Sequence, residues 1–310
     1  MTDSGNPPKI CVLGACNVDL TCYAERMPKW GETLRGNSFD LTYGGKGANQ
    51  AVIAAKLGAR VSMVSKLGAD LFGQSILDNL KGFGIDVTHS TTTDKGRTGA
   101  AQIMVDDKGR NAIVVVTGAS DLMSEADVLA SKTQIEEADL LLVQWEMPLA
   151  ISMQAMRIAQ EAGTKVIFNP APIGLDISDE IFSLCDTVCV NETEIMALTR
   201  MPVDTVPQIE QASLELLGRG AKSVIVTLGK KGAFYASRED SFFVEGEAAN
   251  TVDSTGAGDC FIGSFAYFIA QGSTPKTCVS YANKIAALSV QKKGTQISYP
   301  SREELPFLPQ

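Results

Sequence analysis

The stretch of the chain best suited to chemistry lies between Asp253 and Asp259 and reads Asp-Ser-Thr-Gly-Ala-Gly-Asp. An apolar run follows at once, which predicts that the glycines open directly into a buried helix. The first turn of a helix leaves backbone N–H groups without partners, and these groups and the helix dipole attract an anion. Asp259 beside such a site could take a proton from a nucleophile that attacks a phosphoryl group. Taken alone, the stretch fits a capped helix start with tightly packed glycines equally well.

The other titratable residues offer few competing general bases. His89 is the only histidine, so a multi-histidine metal site is excluded, and its polar segment predicts a surface position. The seven cysteines include no C-x-x-C pair and lie mostly in apolar runs, which indicates reduced core residues. A general base in this protein is therefore expected to be a carboxylate.

Composition limits the class of protein. The chain has 310 residues, 45% of them hydrophobic and 20% charged, which is typical of a globular protein. A formal net charge of -9 argues against nucleic acid as a partner. The longest charge-free run, 260–275, contains Gly, Ser, Gln and Pro, so no membrane span is expected. The polar start predicts no signal peptide, disorder over residues 1–8 and a cytoplasmic location.

The order of apolar runs predicts a mostly parallel sheet with crossover helices. Residues 9–16 form an apolar run typical of a central strand, and three later junctions, at Leu57, Glu161 and Gly218, repeat one pattern of helix end, glycine, basic residue and apolar strand. Polar residues follow several of the strands: Asn17, Asp19, Glu146, Asn169, Asn191, Glu194 and Thr227. Ligands of such sheets bind at this carboxyl edge. We therefore predict a single α/β domain over residues 1–310, with a mostly parallel sheet flanked by helices.

Two parts of the chain do not fit the alternation of strand and helix. Residues 17–43 break into short segments, and residues 97–117 give two β-rich runs around the turn at 106–109. Both patterns are typical of strands in a small separate sheet. The natural role of such a sheet is a lid.

A second glycine-rich segment, Gly-Gly-Lys-Gly-Ala-Asn over 44–49, precedes a helix that is predicted over 48–57 and is followed by Gly58. It is not a phosphate-binding Walker loop, and Gln50 stands where a dinucleotide fingerprint needs its third glycine. A nicotinamide-dependent oxidoreductase is therefore excluded. Lys46 and Asn49 could donate to a small polar ligand, although close helix packing explains the glycines equally well.

Taken together and in this order, the motifs resemble those of the PfkB family of carbohydrate kinases, and within it the ribokinase branch. The resemblance covers about residues 9–305. It implies a doubly wound α/β domain with a small β-sheet lid, and a homodimer formed through the lids. It also implies transfer of the γ-phosphate of ATP to the primary 5-hydroxyl of D-ribose, with Mg²⁺ and an activating K⁺.

The resemblance also implies residue roles. Asp259 matches the general base, and Gly256, Ala257 and Gly258 match the anion hole. The sugar-binding positions are Asn17, Asp19, Gly45, Lys46, Asn49 and Glu146, together with Asp259. The nucleotide and Mg²⁺-water side is matched by Asn191, Glu194, Thr227, Gly229, Gly232 and Gly258, with Asn283 near the adenine. The potassium positions, several of them through backbone oxygens, are Asp253, Thr255, Ser289, Lys292, Gly294 and Ser298.

The sequence leaves the sugar open. Cys16 and Tyr43 lie next to sugar-binding positions and could tune the pocket. A 2-deoxyribose kinase, a fructose kinase or a nucleoside kinase remains an alternative to a ribose kinase. A sugar- or nucleotide-binding sensor that has lost catalysis is a further alternative, which the retained Asp259 and its glycines disfavour.

Overall fold

The fold comes from a computed structural model that describes residues 6–174 and 177–308. Residues 1–5, most of the segment predicted to be disordered, lie outside the described residues. Pro8 is buried, and its carbonyl accepts a hydrogen bond from the Arg60 N–H at 2.9 Å. The prediction of disorder is therefore wrong for Pro8, because the chain joins the edge of the main sheet one residue before its first strand.

The main sheet has eight strands, of which six are parallel and two continue the sheet antiparallel at one side. In spatial order they are β4 (Arg60–Val64), β1 (Lys9–Leu13), β9 (Leu140–Gln144), β10 (Lys165–Asn169), β11 (Thr187–Asn191), β12 (Ser223–Thr227), β13 (Gly232–Ser237) and β14 (Ser241–Glu245). Each parallel strand is short and apolar, as expected for a sheet covered on both faces.

The ten helices of the described residues include four that are short. They are α1 (Lys46–Lys56), α2 (Leu71–Gly82), α3 (Glu125–Ala130), α4 (Lys132–Glu136), α5 (Leu149–Ala162), α6 (Glu180–Ser183), α7 (Glu192–Thr199), α8 (Val206–Gly218), α9 (Ala257–Ala270) and α10 (Pro275–Ser289). The alternation of side chains along β1 sends Ile10 and Val12 into one core and Cys11 and Leu13 into another. Helices therefore cover both faces of the sheet, and the predicted fold class is confirmed.

A second sheet of four strands lies outside this layered core. Its strands, in spatial order, are β3 (Ser38–Gly44), β2 (Asn17–Ala24), β7 (Gly99–Asp106) and β8 (Asn111–Val116). They occupy the segments predicted to form a small separate sheet. A two-stranded parallel sheet joins β5 (Lys66–Gly68) to β6 (Thr91–Thr93).

Two boundaries differ from the sequence prediction. Strand β1 ends at Leu13 rather than Cys16, and Asn17 and Asp19 lie in the first half of β2, within the segment predicted to supply strands of the small sheet. Helix α1 begins at Lys46 rather than Ala48. Within residues 6–174 and 177–308, the model has no helix of the length and apolarity that a bilayer crossing requires.

Candidate active site

Helix α1 starts against the end of β1 because its first turn is built from small residues. Gly45, its N-cap, has φ 87°, and a Cβ there would lie 2.6 Å from the carbonyl oxygen of Ala15. Only glycine fits both this conformation and this close approach. The backbone N–H of Lys46 then donates to Oε2 of Glu146 at 2.7 Å. The glycine-rich segment thus joins the carboxyl ends of β1 and β9.

Helix α9 begins at Ala257, within the glycine-containing stretch 253–259. Gly256, the N-cap, has φ 75°, and no side chain caps the helix. The hydroxyl of Tyr299 donates to the Gly256 carbonyl at 2.9 Å. Burial raises the pKa of Tyr299 well above its ordinary value, so the hydroxyl stays a donor. The N–H groups of Ala257 and Gly258 lie in the helix's first turn, where anions bind.

Asp259 is in that first turn and only 7% exposed. Its Oδ2 accepts from Nδ2 of Asn49 at 3.0 Å, and its Oδ1 accepts from Nε2 of Gln50 at 3.0 Å. The negative charge of Asp259 raises the pKa of Lys46, while burial acts in the opposite direction. The predicted general base is therefore an acceptor held by donors from α1.

The sugar-side carboxylates are held close to this centre. A Cβ on Gly44 would lie 2.4 Å from Oδ2 of Asp19, so glycine leaves the space that this carboxylate occupies. Burial, with a smaller effect from the charge of Asp259, raises the pKa of Asp19 to about 6. Burial likewise raises the pKa of Glu146 to about 7, against the opposing influence of Lys46. Asn17 is buried, and its Oδ1 has no hydrogen-bond partner among the described residues.

Two adjoining cavities open at the start of α9. The larger, of about 220 Å³, is lined by Thr227, Gly229, Gly232 and Asn283 from the predicted nucleotide set and by Ala257, Gly258, Phe261 and others. The smaller, of about 200 Å³, is lined by Lys46, Asn191, Glu194, Asp259, Gly256 and others. Thr227 and Gly258 line both cavities, so the two spaces meet at the helix start.

Most residues predicted to bind the nucleotide thus line one of these two cavities. Several of them also form hydrogen bonds within the protein. Asn191 and Glu194 form a capping box on α7, with bonds of 2.8 Å in each direction, as their spacing predicts. Burial raises the pKa of Glu194. Nδ2 of Asn283 donates to the carbonyls of Val244 and Glu245 at 3.3 and 3.4 Å, which ties α10 to β14 at the cavity wall.

Asp253 organises the predicted cation positions. Its Oδ1 accepts from the N–H and hydroxyl of Thr255 at 3.0 and 2.7 Å, and its Oδ2 accepts from the N–H of Gly294 at 2.9 Å. Ser289 and Ser298 are buried, and their hydroxyls donate to backbone carbonyls at 2.8 Å.

The ammonium group of Lys292, the remaining cation position, pairs with Glu304 at 3.3 Å instead of pointing into a cluster of ligands. Within the described ranges, no three His, Cys, Asp or Glu side chains are grouped as a metal site. This finding does not bear on a cation held by backbone oxygens.

Several residues of this region carried no role in the sequence prediction. Gln50 bonds to Asp259, Gln144 and Asn169 bond to Gln50, and Gln296 bonds to Asn49. For Asn169 the sequence predicts only a polar residue at the end of a strand. The sequence signal for a role of Gln50 is its position immediately after Asn49. The direction of its side chain depends on contacts with β9, β10 and α9, which lie far away in the sequence.

All seven cysteines are free, and six of them are buried, as predicted. The fold and the geometry together define an α/β protein with a small-molecule site at the carboxyl edge of its sheet, beside a helix start suited to an anion. The sequence model that describes the pfkB family of carbohydrate kinases matches residues 7–302 of this chain. The chain belongs to that family.

Relatives extend over the same length. A deoxyribokinase of Salmonella typhi is 38% identical over 295 residues, which cover 95% of this chain and 96% of that protein. A ribokinase of Mus musculus is 38% identical over 302 residues, covering 96% and 94%. The structure of an Arabidopsis thaliana ribokinase complexed with ribose and ATP matches with a TM-score of 0.90 and 32% identity over 97% of this chain and 98% of that one.

Proposed function

We propose that this protein transfers the γ-phosphate of ATP to the primary 5-hydroxyl of D-ribose, giving ribose 5-phosphate and ADP. The observation that carries the proposal is the placement of Asp259, buried between the donors of α1 and the uncapped start of α9. Asp259 takes the proton of the 5-hydroxyl as its oxygen attacks the γ-phosphorus. The N–H groups of Gly256, Ala257 and Gly258 stabilise the negative charge of the transferring phosphoryl group.

The sugar would lie between β2, α1 and the end of β9. Asp19 and Glu146 accept hydrogen bonds from sugar hydroxyls, and Lys46 and Asn49 donate. The buried Asn17 Oδ1, which has no partner among the described residues, would gain a hydroxyl donor. A ligand that lacks one of these hydroxyls leaves its protein partner unpaired, at a cost of about 1–3 kcal/mol.

ATP would occupy the larger cavity, with its phosphates directed towards Gly258, where the two cavities meet. Thr227, Gly229 and Gly232 line the nucleotide side, and Asn283 lies at its wall. Mg²⁺, when bound with ATP, would neutralise the negative charge of the phosphates. Asn191 and Glu194 line the smaller cavity and carry side-chain oxygens, the ligand type that this ion prefers, and Oδ1 of Asn191 and Oε2 of Glu194 also form the capping box of α7.

The same site could accept 2-deoxyribose, and the 38% identity to a deoxyribokinase is the observation that favours this second candidate. Sugar-dependent ADP release should be measured with ribose, 2-deoxyribose, fructose and adenosine side by side. We expect the highest kcat/KM for ribose. A higher value for 2-deoxyribose would support the second candidate, and no turnover with any pentose, hexose or nucleoside would contradict the kinase proposal.

Three further features belong to this proposal. A potassium ion would bind beside the anion hole, where Asp253, just before Gly256 in the chain, accepts a hydrogen bond from the N–H of Gly294. Comparison of activity in potassium and in sodium tests it. A cytoplasmic location is supported by the free cysteines.

Homodimer formation through the four-stranded sheet is supported by β8, whose six residues are all exposed.

A further inference from the structure

Gln50 is a buried amide in direct contact with the base that the proposed function assigns. It is 0% exposed, and its Nε2 donates to Oδ1 of Asp259 at 3.0 Å. The neighbouring residue Asn49 donates to the other oxygen, Oδ2, at the same distance. Both carboxylate oxygens are therefore fixed by consecutive residues of α1, although only Asn49 belongs to the expected sugar-binding set.

The orientation of the Gln50 amide is set from behind by the sheet. Its Oε1 accepts from Nε2 of Gln144 at 2.7 Å, so its nitrogen must face Asp259. A second contact, of 3.4 Å, joins Nε2 of Gln50 to Oδ1 of Asn169. The Asn169 amide is itself oriented, because its Nδ2 donates to the carbonyl of Cys189 at 3.0 Å.

The two supporting amides come from adjacent strands in register. Gln144 is the last residue of β9 and pairs with Asn169, the last residue of β10. Both are buried. A buried polar side chain is normally hydrogen-bonded. Oε1 of Gln144 has no hydrogen-bond partner among the described residues, so this buried amide uses only part of its hydrogen-bonding capacity. Its bond to Gln50 is the contact that accounts for its presence.

We propose that Gln50 is a positioning residue for phosphoryl transfer, held by Gln144 and Asn169 so that its N–H fixes the angle of the Asp259 carboxylate. This inference rests on the proposed function. Gln50 acts on the base and not on the sugar. Its loss should therefore lower kcat while the affinity for sugar is kept, because a base displaced by a fraction of an ångström is poorly aligned with the attacking hydroxyl.

The test compares Gln50→Met, which keeps the length of the side chain but removes its donor, with the wild type. We expect kcat to fall about 10–100-fold and the sugar Kd, measured by calorimetry, to stay within about threefold. Gln160→Met is the matched control, because Gln160 is exposed at the end of α5, next to the start of β10 and not at the carboxyl edge of the sheet where the site lies; its kcat should equal that of the wild type.

A double-mutant cycle separates positioning from simple packing. Gln144→Met should lower kcat less than Gln50→Met does, and the double variant should be no slower than Gln50→Met alone, because Gln144 acts through Gln50. Should Gln50→Met fail to fold, Gln50→Glu serves instead. It is isosteric, but it places a second carboxyl group about 3 Å from Asp259, and the two groups would share a proton because both cannot be ionised so close together. Asp259 would then be a poorer base, and we expect at least a tenfold loss of kcat at pH 8.

Several outcomes would overturn the inference. One is a folded Gln50→Met or Gln50→Glu variant with kcat within twofold of the wild type. Another is an equal loss of kcat and sugar affinity, which would make Gln50 part of the sugar pocket. If the wild type is active and the variants give either of these results, only the role of Gln50 is contradicted, and the proposed function is not. A wild type that is inactive with every sugar and nucleoside contradicts the proposed function and, with it, the role of Gln50.

Discussion

Glu146 and Asp19 are carboxylates whose charge should change near neutral pH. Burial raises the pKa of Glu146 from 4.5 to about 7 and that of Asp19 from 3.8 to about 6 in the ligand-free protein. Each must be ionised to accept hydrogen bonds from sugar hydroxyls with both oxygens. Since kcat/KM reports the free enzyme, its pH dependence should show these groups.

We predict that kcat/KM for the sugar falls as the pH is lowered through 7 and falls more steeply below about 6, as the second carboxyl takes up a proton. The measurement is kcat/KM from pH 5 to 9. Glu146→Gln should reduce kcat/KM at pH 8 and remove the step near pH 7. A profile that is flat between pH 8 and 6 would contradict the role of Glu146, and a profile that stays flat down to pH 5 would contradict that of Asp19 as well.

At the scale of single residues, the sequence pointed to the proposed base, Asp259, but not to the groups that hold it. Asp259 could be chosen because it follows the glycines directly and because His89 is the only histidine. Gln50 could not, since its partners on β9 and β10 are brought to it only by the packing of α1 on the sheet. The sequence assigns Lys292 to the cation site only by its position in the chain. In the structure its side chain pairs with Glu304.

The start of α9 is the element on which the proposed phosphoryl transfer depends. Gly256 has φ 75°, and a Cβ there would lie 2.5 Å from the hydroxyl of Tyr299. That tyrosine is buried, and the ammonium group of Lys56 donates to its carbonyl at 2.6 Å, so it cannot easily move away. The turn is therefore fixed by contacts behind it as well as by its own glycines.

Gly256→Ala should destabilise the protein by about 1–3 kcal/mol and lower kcat by about 10²-fold, because the left-handed turn is strained and the anion hole is displaced. Gly163→Ala is the matched control, since Gly163 has φ 80° at the end of α5 and nothing lies within 4 Å of its Cβ position. Thermal unfolding and steady-state kinetics measure both effects. An equal kcat for the two variants would contradict the role of this turn.

Elements were predictable where a local pattern determines them. The capping box at Asn191 and Glu194 and the strands on either side of the turn at 106–109 follow from short-range spacing. Helix α1 begins two residues earlier than predicted because the Lys46 N–H has a distant partner, Glu146. The early end of β1 likewise reflects the place where the chain leaves the main sheet for the four-stranded one.

At the scale of the whole molecule, the four-stranded sheet has an apolar edge that is exposed. Strand β8 is the edge of the four-stranded sheet, and Ile113, Val114, Val115 and Val116 are 52%, 67%, 54% and 61% exposed. Successive side chains of a strand point to opposite faces, so neither face of β8 is covered by the rest of the described chain. An apolar edge of this kind promotes association unless it is covered.

We predict that the protein is a homodimer and that the double variant Ile113→Lys, Val115→Lys is monomeric, because two charges on the same face of β8 oppose the burial of that edge. Sedimentation velocity measures the change. Leu214→Lys is the control, since Leu214 is a 47% exposed apolar residue on α8. A monomeric wild type, or a dimer that persists in the double variant, would contradict this interface.

The most direct test of the account is the turnover of Asp259→Asn with ribose and ATP, measured beside the wild type as sugar-dependent ADP release. The substitution keeps the shape of the side chain and removes the base. We predict a kcat lower by about 10²–10⁴-fold, with sugar affinity by calorimetry within about threefold of the wild type. A variant kcat within tenfold of the wild type would show that Asp259 does not take the proton and would contradict the proposed mechanism.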